Sequence, residues 1–423
     1  MFIIHYSLED TMALQNRPLS GVKVVELATF IAAPTCARFL ADQGADVIKI
    51  ETTGGDPVRF APLAEGRPVL LNENLTFDLE NGNKRSMAMN LKNPKCFEVL
   101  MKLVGEADIF ITNWRPKALE KMGLEYEQLK VKFPKLVYAS VTGYGDKGPD
   151  KDLPGYDYTA FWARSGMLGS LYDTDGKPAN LIPSMGDHTA GMFLAAGVCA
   201  ALFNAARTGK GEKVSTSLLA SAVFTQGTLL QTAQYDMLKY PMQKRNSPNP
   251  FNCCYQTKDG RWIQQSMPVF AMFPKFAEAM GLEALLADER FKSETGIASG
   301  GHGPALYDAI AAAYAQFTAA EVAERLTKAD IPFALAQVWS EVLQDKQAWA
   351  DDIFTELEYP SGKRVAIRNP VKFEDAGLPD YVLSPHVGEH TALIMKDLGY
   401  SDAEVNSLLE AKEIRVTTES YAG

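Results

Sequence analysis

Cysteine and histidine are scarce in this chain, five of each in 423 residues. The cysteines (Cys36, Cys96, Cys199, Cys253, Cys254) form no CxxC and no regular grid, which excludes a disulfide scaffold and argues against a thiolate metal site. His386 and His390 flank Glu389 at a spacing that fits one helix face, but Pro385 and Gly388 oppose a helix there, so no metal is expected. A basic excess is also lacking. Lys and Arg total 42 against 52 Asp and Glu, a net charge of −10, which excludes nucleic acid and an anionic membrane as main partners. The opening segment, Met1 to Arg17, carries Glu9 and Asp10 and lacks the order of a signal peptide, so it reads as a loose extension. No apolar stretch is read as a membrane span, and reduced cysteines suit a cytoplasmic location.

What remains is a globular composition, 46% hydrophobic and 22% charged, in a chain long enough for two or three domains. From residue 21 to about 145 strands and helices alternate. Val22 to Leu27 reads as a strand, Ala32 to Gln43 as a helix stopped by Gly44, and Ala45 to Glu51 as a second strand. This β-α-β unit implies a parallel, Rossmann-like sheet. Met87–Leu91, Ala107–Thr112 and Leu136–Val141 continue it. Glu51 stands where a dinucleotide fold places its ribose-binding acid. The first turn, Ala28 to Pro34, has no glycine fingerprint, so NAD is not expected. Lys84 and Arg85 read either as a solvated turn or as a phosphate contact, and Asn113-Trp114 as a ligand-facing loop at a strand's C-terminal end. Residues 241–250, with three prolines, read as a linker. Beyond them lie a hairpin around Lys258-Asp259-Gly260-Arg261 and further helices, a smaller α+β domain. A further hairpin is read over Tyr359 to Phe373.

The stretch that organises the rest is Pro183 to Met192, which opens an apolar helical run to Arg207. Asp187 reads there in two ways. It is an N-cap accepting the first backbone N–H groups, or an ionised carboxylate, held by the helix dipole, that serves as a covalent nucleophile for an acyl group.

The ordered series Leu19 to Leu27, Gly44 to Glu51, Gly55-Asp56-Pro57, Asn83 to Ser86, Asn113 to Pro116, Ser140 to Gly148, Gly155 to Tyr158, Gly186-Asp187, Thr208 to Gly211 and Gly388 to Thr391 resembles the class III CoA-transferases. It spans residues 19 to 400. Within that family the chain looks closest to the phenyllactate and 2-hydroxyisocaproate type, through Pro149 to Gly155 and Gly186-Asp187-His188. The resemblance implies a Rossmann-like large domain from residues 1–230 and 345–423, a small domain at 245–335, and an interlocked homodimer. It implies CoA transfer from an enoyl- or 2-hydroxyacyl-CoA to a free acid, in amino-acid fermentation. Asp187 would be the acyl-accepting carboxylate, and Phe30, Ile31, Ala32, Lys84, Asn113, Lys121 and Tyr156 the contacts to CoA. No tightly bound cofactor is implied, the coenzyme A thioester being substrate, and a 2-hydroxyacyl-CoA dehydratase would act downstream. Two departures matter. Ile31 replaces the glutamine of formyl-CoA transferase, whose polyglycine loop has no counterpart between Gln243 and Tyr255. Tyr156 replaces the histidine of the α-methylacyl-CoA racemases, which disfavours racemisation, since tyrosine's high pKa makes it a poor base. Racemase remains the alternative enzyme, and a CoA-binding scaffold the non-enzymatic one.

Overall fold

The computed structural model describes residues 17–63, 66, 70, 73–172, 176–178, 181–235 and 240–417. The N-terminal extension read from the sequence therefore lies, up to residue 16, outside the described residues.

Chain order in the larger unit runs β1 (Lys23–Leu27), α1 (Ala32–Asp42), β2 (Asp46–Glu51), α2 (Leu75–Asn81), β3 (Arg85–Met89), α3 (Pro94–Glu106), β4 (Ile109–Thr112), α4 (Pro116–Met122), β5 (Val137–Thr142), α5 (Met185–Thr208), β6 (Lys213–Ser217) and α6 (Leu218–Thr225). The smaller unit holds an antiparallel sheet of β7 (Cys254–Gln256), β8 (Trp262–Gln265) and β9 (Phe333–Leu335). After it come a hairpin, β10 (Phe354–Tyr359) with β11 (Gly362–Ile367), then helices α7 (Thr391–Asp397) and α8 (Asp402–Glu410), and last β12 (Ile414–Arg415). That hairpin begins upstream of where composition placed it.

The main sheet has the order β12-β3-β2-β1-β4-β5-β6 and is parallel apart from β12. Strands β1, β2, β4 and β5 are almost wholly buried because helices cover both faces, and β1 and β2 carry buried charges (Glu26, Lys49, Glu51) among their apolar residues. On one face Ala33, Cys36, Ala37 and Leu40 of α1 meet Ala190, Leu194, Ala195 and Val198 of α5. The helices can approach closely because Gly191 faces the Ala32 carbonyl and Thr35, where a Cβ has no room. On the other face Val99, Leu100 and Leu103 of α3 pack with Leu119, Ile394 and Val405.

Helix α5, 24 residues long, reaches a mean hydropathy of 1.6 in its most apolar window and is by length and composition sufficient to cross a membrane. The sequence reading of no such stretch does not hold. The small residues that raise its hydropathy form its contact with α1 and the sheet.

The chain divides into two compact units. One comprises the residues up to Met167, Leu181–Gln231 and the residues from Lys346 on, the other Leu168–Asn180 and Thr232–Asp345. Leu168–Asn180, counted with the large domain on sequence, groups with the small one. Strand order reverses direction at β1, with β2 and β3 to one side and β4 to β6 to the other. Open parallel sheets bind ligands at the carboxyl ends of the strands beside such a reversal.

Candidate active site

Strand β1 ends at Leu27, and Ala28 to Ile31 turn the chain into α1. Phe30 occupies the left-handed region there, with φ +61°, a conformation disfavoured for an aromatic residue. Several bonds hold it. Asn113, just past β4, grips Thr29 on both sides: its Oδ1 accepts the Thr29 N–H at 3.0 Å and its Nδ2 donates to the Thr29 carbonyl at 2.6 Å. The Phe30 N–H donates to Asp56 Oδ1 at 3.2 Å. Lys49 in turn pairs with Asp56 Oδ2 (3.0 Å) and Glu26 (2.8 Å), and donates to the Ala28 carbonyl at 3.1 Å. A buried charge network therefore underlies the turn that glycines shape in dinucleotide-binding folds.

Lys84 belongs to that network and not to the ligand surface. Its ammonium is buried and bonded to Glu26 Oε2 (2.7 Å), Asn81 Oδ1 (3.0 Å) and the Pro34 carbonyl (3.0 Å). Burial pushes its pKa down to about 8 against the pull of Glu26. The expectation of a CoA contact at Lys84 is corrected, because all three donors are spent inside the protein. Glu51 is committed likewise. Its carboxylate takes Arg59 (2.7 and 2.8 Å), the Ser86 hydroxyl (2.6 Å) and the Asp56 N–H (2.9 Å), leaving nothing for a ribose.

At the start of α5 the sequence reading of Asp187 as the cap is also corrected. Asp157, 29 and 30 residues upstream, does the capping: its Oδ1 accepts the N–H of Gly186 at 2.7 Å and of Asp187 at 3.2 Å. Ser184 is the N-cap residue by position, with φ +69° and no side-chain cap bond. Gly186 must be glycine, since a Cβ would collide with the Phe161 ring and with Asp157 Oδ1. Asp187 is thus released from capping and stands in the first turn, largely buried, lining a cavity. Its pKa is raised to about 7, first by burial and then by the charge of Asp157, with Glu80 adding and His188 opposing. The helix dipole does not keep it at an ordinary value. Nor do the Gly186 and Asp187 N–H groups stand free as oxyanion donors, because Asp157 holds both.

The cavity measures about 890 Å³ and brings together the sequence-chosen residues Phe30, Ile31, Ala32, Asn113, Lys121, Tyr156 and Asp187. The rings of Phe30 and Tyr156 meet edge to face at 5.5 Å, and Leu153, Pro154 and Tyr158 add apolar wall. A second cavity of about 1020 Å³ lies along β1 to β3, lined by Ile50, Met89, Leu91 and Phe97 with Lys92, Lys121 and Lys412. It shares Thr29, Trp114, Ala118 and Lys121 with the first. Asn90-Leu91-Lys92 escaped the sequence reading. The signal was there, since they follow β3 at its carboxyl end. Lysines concentrated in these cavities offset the chain's acidic total wherever an anionic ligand would enter. Among the described residues no group of three His, Cys, Asp or Glu is placed to hold a metal.

A Rossmann-like sheet with a protonatable carboxylate at a helix start beside two lysine-lined cavities defines an acyl-group-handling enzyme, and residues 19–391 match CoA-transferase family III. The chain belongs to that family and is an enzyme of the CoA-transferase type. A cinnamoyl-CoA:phenyllactate CoA-transferase of Clostridium sporogenes is 48% identical over 95% of this chain and 98% of its own length. An (R)-2-hydroxy-4-methylpentanoate CoA-transferase of Clostridioides difficile is 42% identical, over 94% and 99%. The crystal structure of a CaiB/BaiF family protein from Brucella suis matches with a TM-score of 0.74 at 28% identity, covering 91% of this chain and all of that one.

Proposed function

We propose that the enzyme moves CoA from an enoyl- or 2-hydroxyacyl-CoA to an (R)-2-hydroxy acid with an aromatic or branched side chain, through covalent attachment to Asp187. The observation that carries this reading is the Asp187 carboxylate, freed from capping by Asp157 and lining the cavity. A carboxylate oxygen of Asp187 attacks the thioester carbonyl. The tetrahedral adduct collapses, the C–S bond breaks, and a mixed anhydride and CoA thiolate result. The thiolate attacks the aspartyl carbonyl of the anhydride, releasing the first acid and leaving an aspartyl-CoA thioester. The incoming carboxylate repeats the two steps in reverse, forming the new acyl-CoA and restoring Asp187. Each cycle starts from ionised Asp187, so turnover rises as pH passes upward through about 7.

Asn113, Lys121, Phe30, Ile31, Ala32 and Tyr156 are the CoA and substrate contacts in this reading. The second cavity, with Lys92 and Lys412, takes the nucleotide end because it lies at the carboxyl ends of β1 to β3. Phe30, Leu153, Tyr156 and Tyr158 supply an apolar wall for a bulky side chain. Both relatives described above are named for 2-hydroxy acids of that kind. The product, a 2-hydroxyacyl-CoA, suits a downstream dehydratase. Acyl-CoA donors incubated with mixed free acids and read by mass spectrometry should yield phenyllactyl-CoA or 2-hydroxy-4-methylpentanoyl-CoA. Oxalate and carnitine should lag by about 100-fold, the discrimination a bulky apolar side chain provides in a fitted pocket. Preference for oxalate or carnitine would sink this substrate assignment.

We also infer an interlocked homodimer. Support comes from the outer face of α5, where Phe193 and Phe203 are exposed, and from Val223 and Phe224 of α6, with Phe193 and Phe224 in edge-to-face contact at 5.5 Å. Exposed apolar surface of this kind marks an interaction site. Sedimentation across a dilution series should show a dimer at every concentration at which the protein is folded. A folded monomer at the lowest concentration contradicts the inference.

A further inference from the structure

Glu80 sits at the end of α2, with only 2% of its surface exposed, and no step of the transfer uses it. Its carboxylate collects two helix starts. Oε2 accepts the Thr35 hydroxyl at 2.7 Å, from the first turn of α1, directly after the Phe30-Ile31 turn. Oε1 meets His188 Nε2 at 2.6 Å, from the first turn of α5, one residue past Asp187. Both turns wall the cavity. A buried carboxylate bonded to a neutral hydroxyl alone is costly, and an imidazolium at 2.6 Å compensates its charge. Lys84, the other cation acting near Glu80, gives its own hydrogen bonds to Glu26, Asn81 and Pro34.

We propose that Glu80 and His188 form a fixed ion pair across the two helix starts, which makes His188 the positioning residue for Asp187 and the cation that favours its ionisation. This rests on the reading of Asp187 as nucleophile. Two groups repel a charge on Asp187: Asp157, which caps α5, and Glu80 beyond His188. His188 alone among the three attracts it, and it is the nearest in sequence. For His188 burial favours the neutral ring, but the Glu80 hydrogen bond and charge, with Asp187 and Asp157, outweigh it and raise its pKa. The sign follows. The pair shifts the ring toward its charged form, the form that favours ionisation of Asp187.

His188→Gln keeps a hydrogen-bonding side chain for Glu80 and removes the charge. Its kcat/KM profile should move the acid limb upward by about one pH unit, which costs about 5-fold at pH 7, approaches about 10-fold below pH 6 and is recovered at pH 9. His188→Lys, which retains the charge, should return the limb to its wild-type position. A purely structural role predicts a different outcome: equal loss at every pH with the limb unmoved. That result, or an unchanged profile, overturns the proposal. NMR of ring-labelled histidine in the unmutated enzyme serves if His188→Gln does not fold. The His188 ring should titrate above the ordinary value of about 6.5, and titration at or below that value overturns the proposal as well. The underlying reading fails separately, if Asp187→Asn turns over normally. With Asp187→Asn dead and the His188→Gln limb unmoved, only the ion-pair proposal falls.

Discussion

Asp187→Asn is expected to stop CoA exchange, by about 10⁴-fold or more, while the variant folds and, at pH 8, unfolds no more easily than the wild type. The activity loss follows from chemistry: an amide oxygen is a far weaker nucleophile than a carboxylate, and no anhydride can form on it. The stability outcome follows from where the structure places the residue. Asp187 caps nothing, since Asp157 accepts the first N–H groups of α5, so its replacement leaves the cap intact. Its carboxyl has a raised folded pKa of about 7, and a carboxyl raised on folding stabilises the folded state least where it is ionised. Stability tied to this group is therefore present at low pH and lost as pH rises from about 4 through 7. Asparagine has no such loss, so the variant should gain on the wild type as pH rises, by on the order of 2 kcal/mol at pH 8 once solvent screening is allowed for. Thermal melts at pH 5 and pH 8 measure the sign. Hydroxylamine with acyl-CoA should convert Asp187 of the wild type to a hydroxamate, a mass change on its peptide absent from Asp187→Asn. Normal turnover by the variant, with no labelled peptide in the wild type, removes Asp187 from the mechanism.

Much of the sheet was legible from local pattern, and most of the site from the family resemblance. The parallel sheet followed from apolar runs alternating with helical spacing, and the ligand-facing loops from their place after strands. Phe30, Asn113, Lys121, Tyr156 and Asp187 do converge on one cavity. What the sequence hid depends on groups that meet only on folding. The cap of α5 is supplied from a distant segment by Asp157, so a rule that looks for Asp beside the first helical residue chose Asp187. The left-handed Phe30 has no sequence signature, because a buried lysine and aspartate behind it do the work of glycine. Short elements were missed as well: β12 has two residues, and α2 carries too few apolar positions to show a period. Helices Leu218–Thr225 and Gly227–Thr232 are separated at Gln226, whose side chain donates to the Ser165 carbonyl at 2.7 Å, a break that no glycine or proline in the sequence before it announces.

Lys84 is where sequence and structure differ most in consequence, and Lys84→Met is expected to cost stability and not affinity. By composition a Lys-Arg pair before a strand is a phosphate contact or a solvated turn, and either would tolerate methionine. In the fold the ammonium lies inside, paired with Glu26 in a cluster of two carboxylates and two lysines, Glu26 and Asp56 with Lys49 and Lys84 itself. Charges balance there. Glu26 is held below its usual range, because Lys49 and Lys84 together outweigh the penalty of its burial. Methionine fills much of the same volume, but it leaves the cluster with one uncompensated negative charge and strips a donor from Asn81 and from the Pro34 carbonyl. Removing one member of a buried ionic group costs about 3–5 kcal/mol, a large share of a typical domain's stability. The damage should spread to the Phe30 turn through Lys49 and Asp56. Urea unfolding should therefore show a clearly lower midpoint, whereas KM for acyl-CoA, measured at a temperature at which the variant is folded, should stay within about twofold of wild type. Lys121→Met, which alters a lysine lining both cavities, should do the reverse: an unchanged midpoint and a KM raised by about 10-fold, the loss of one charged contact to an anionic ligand. An unaltered midpoint for Lys84→Met together with a raised KM would restore Lys84 to the ligand surface and refute its place in the buried network.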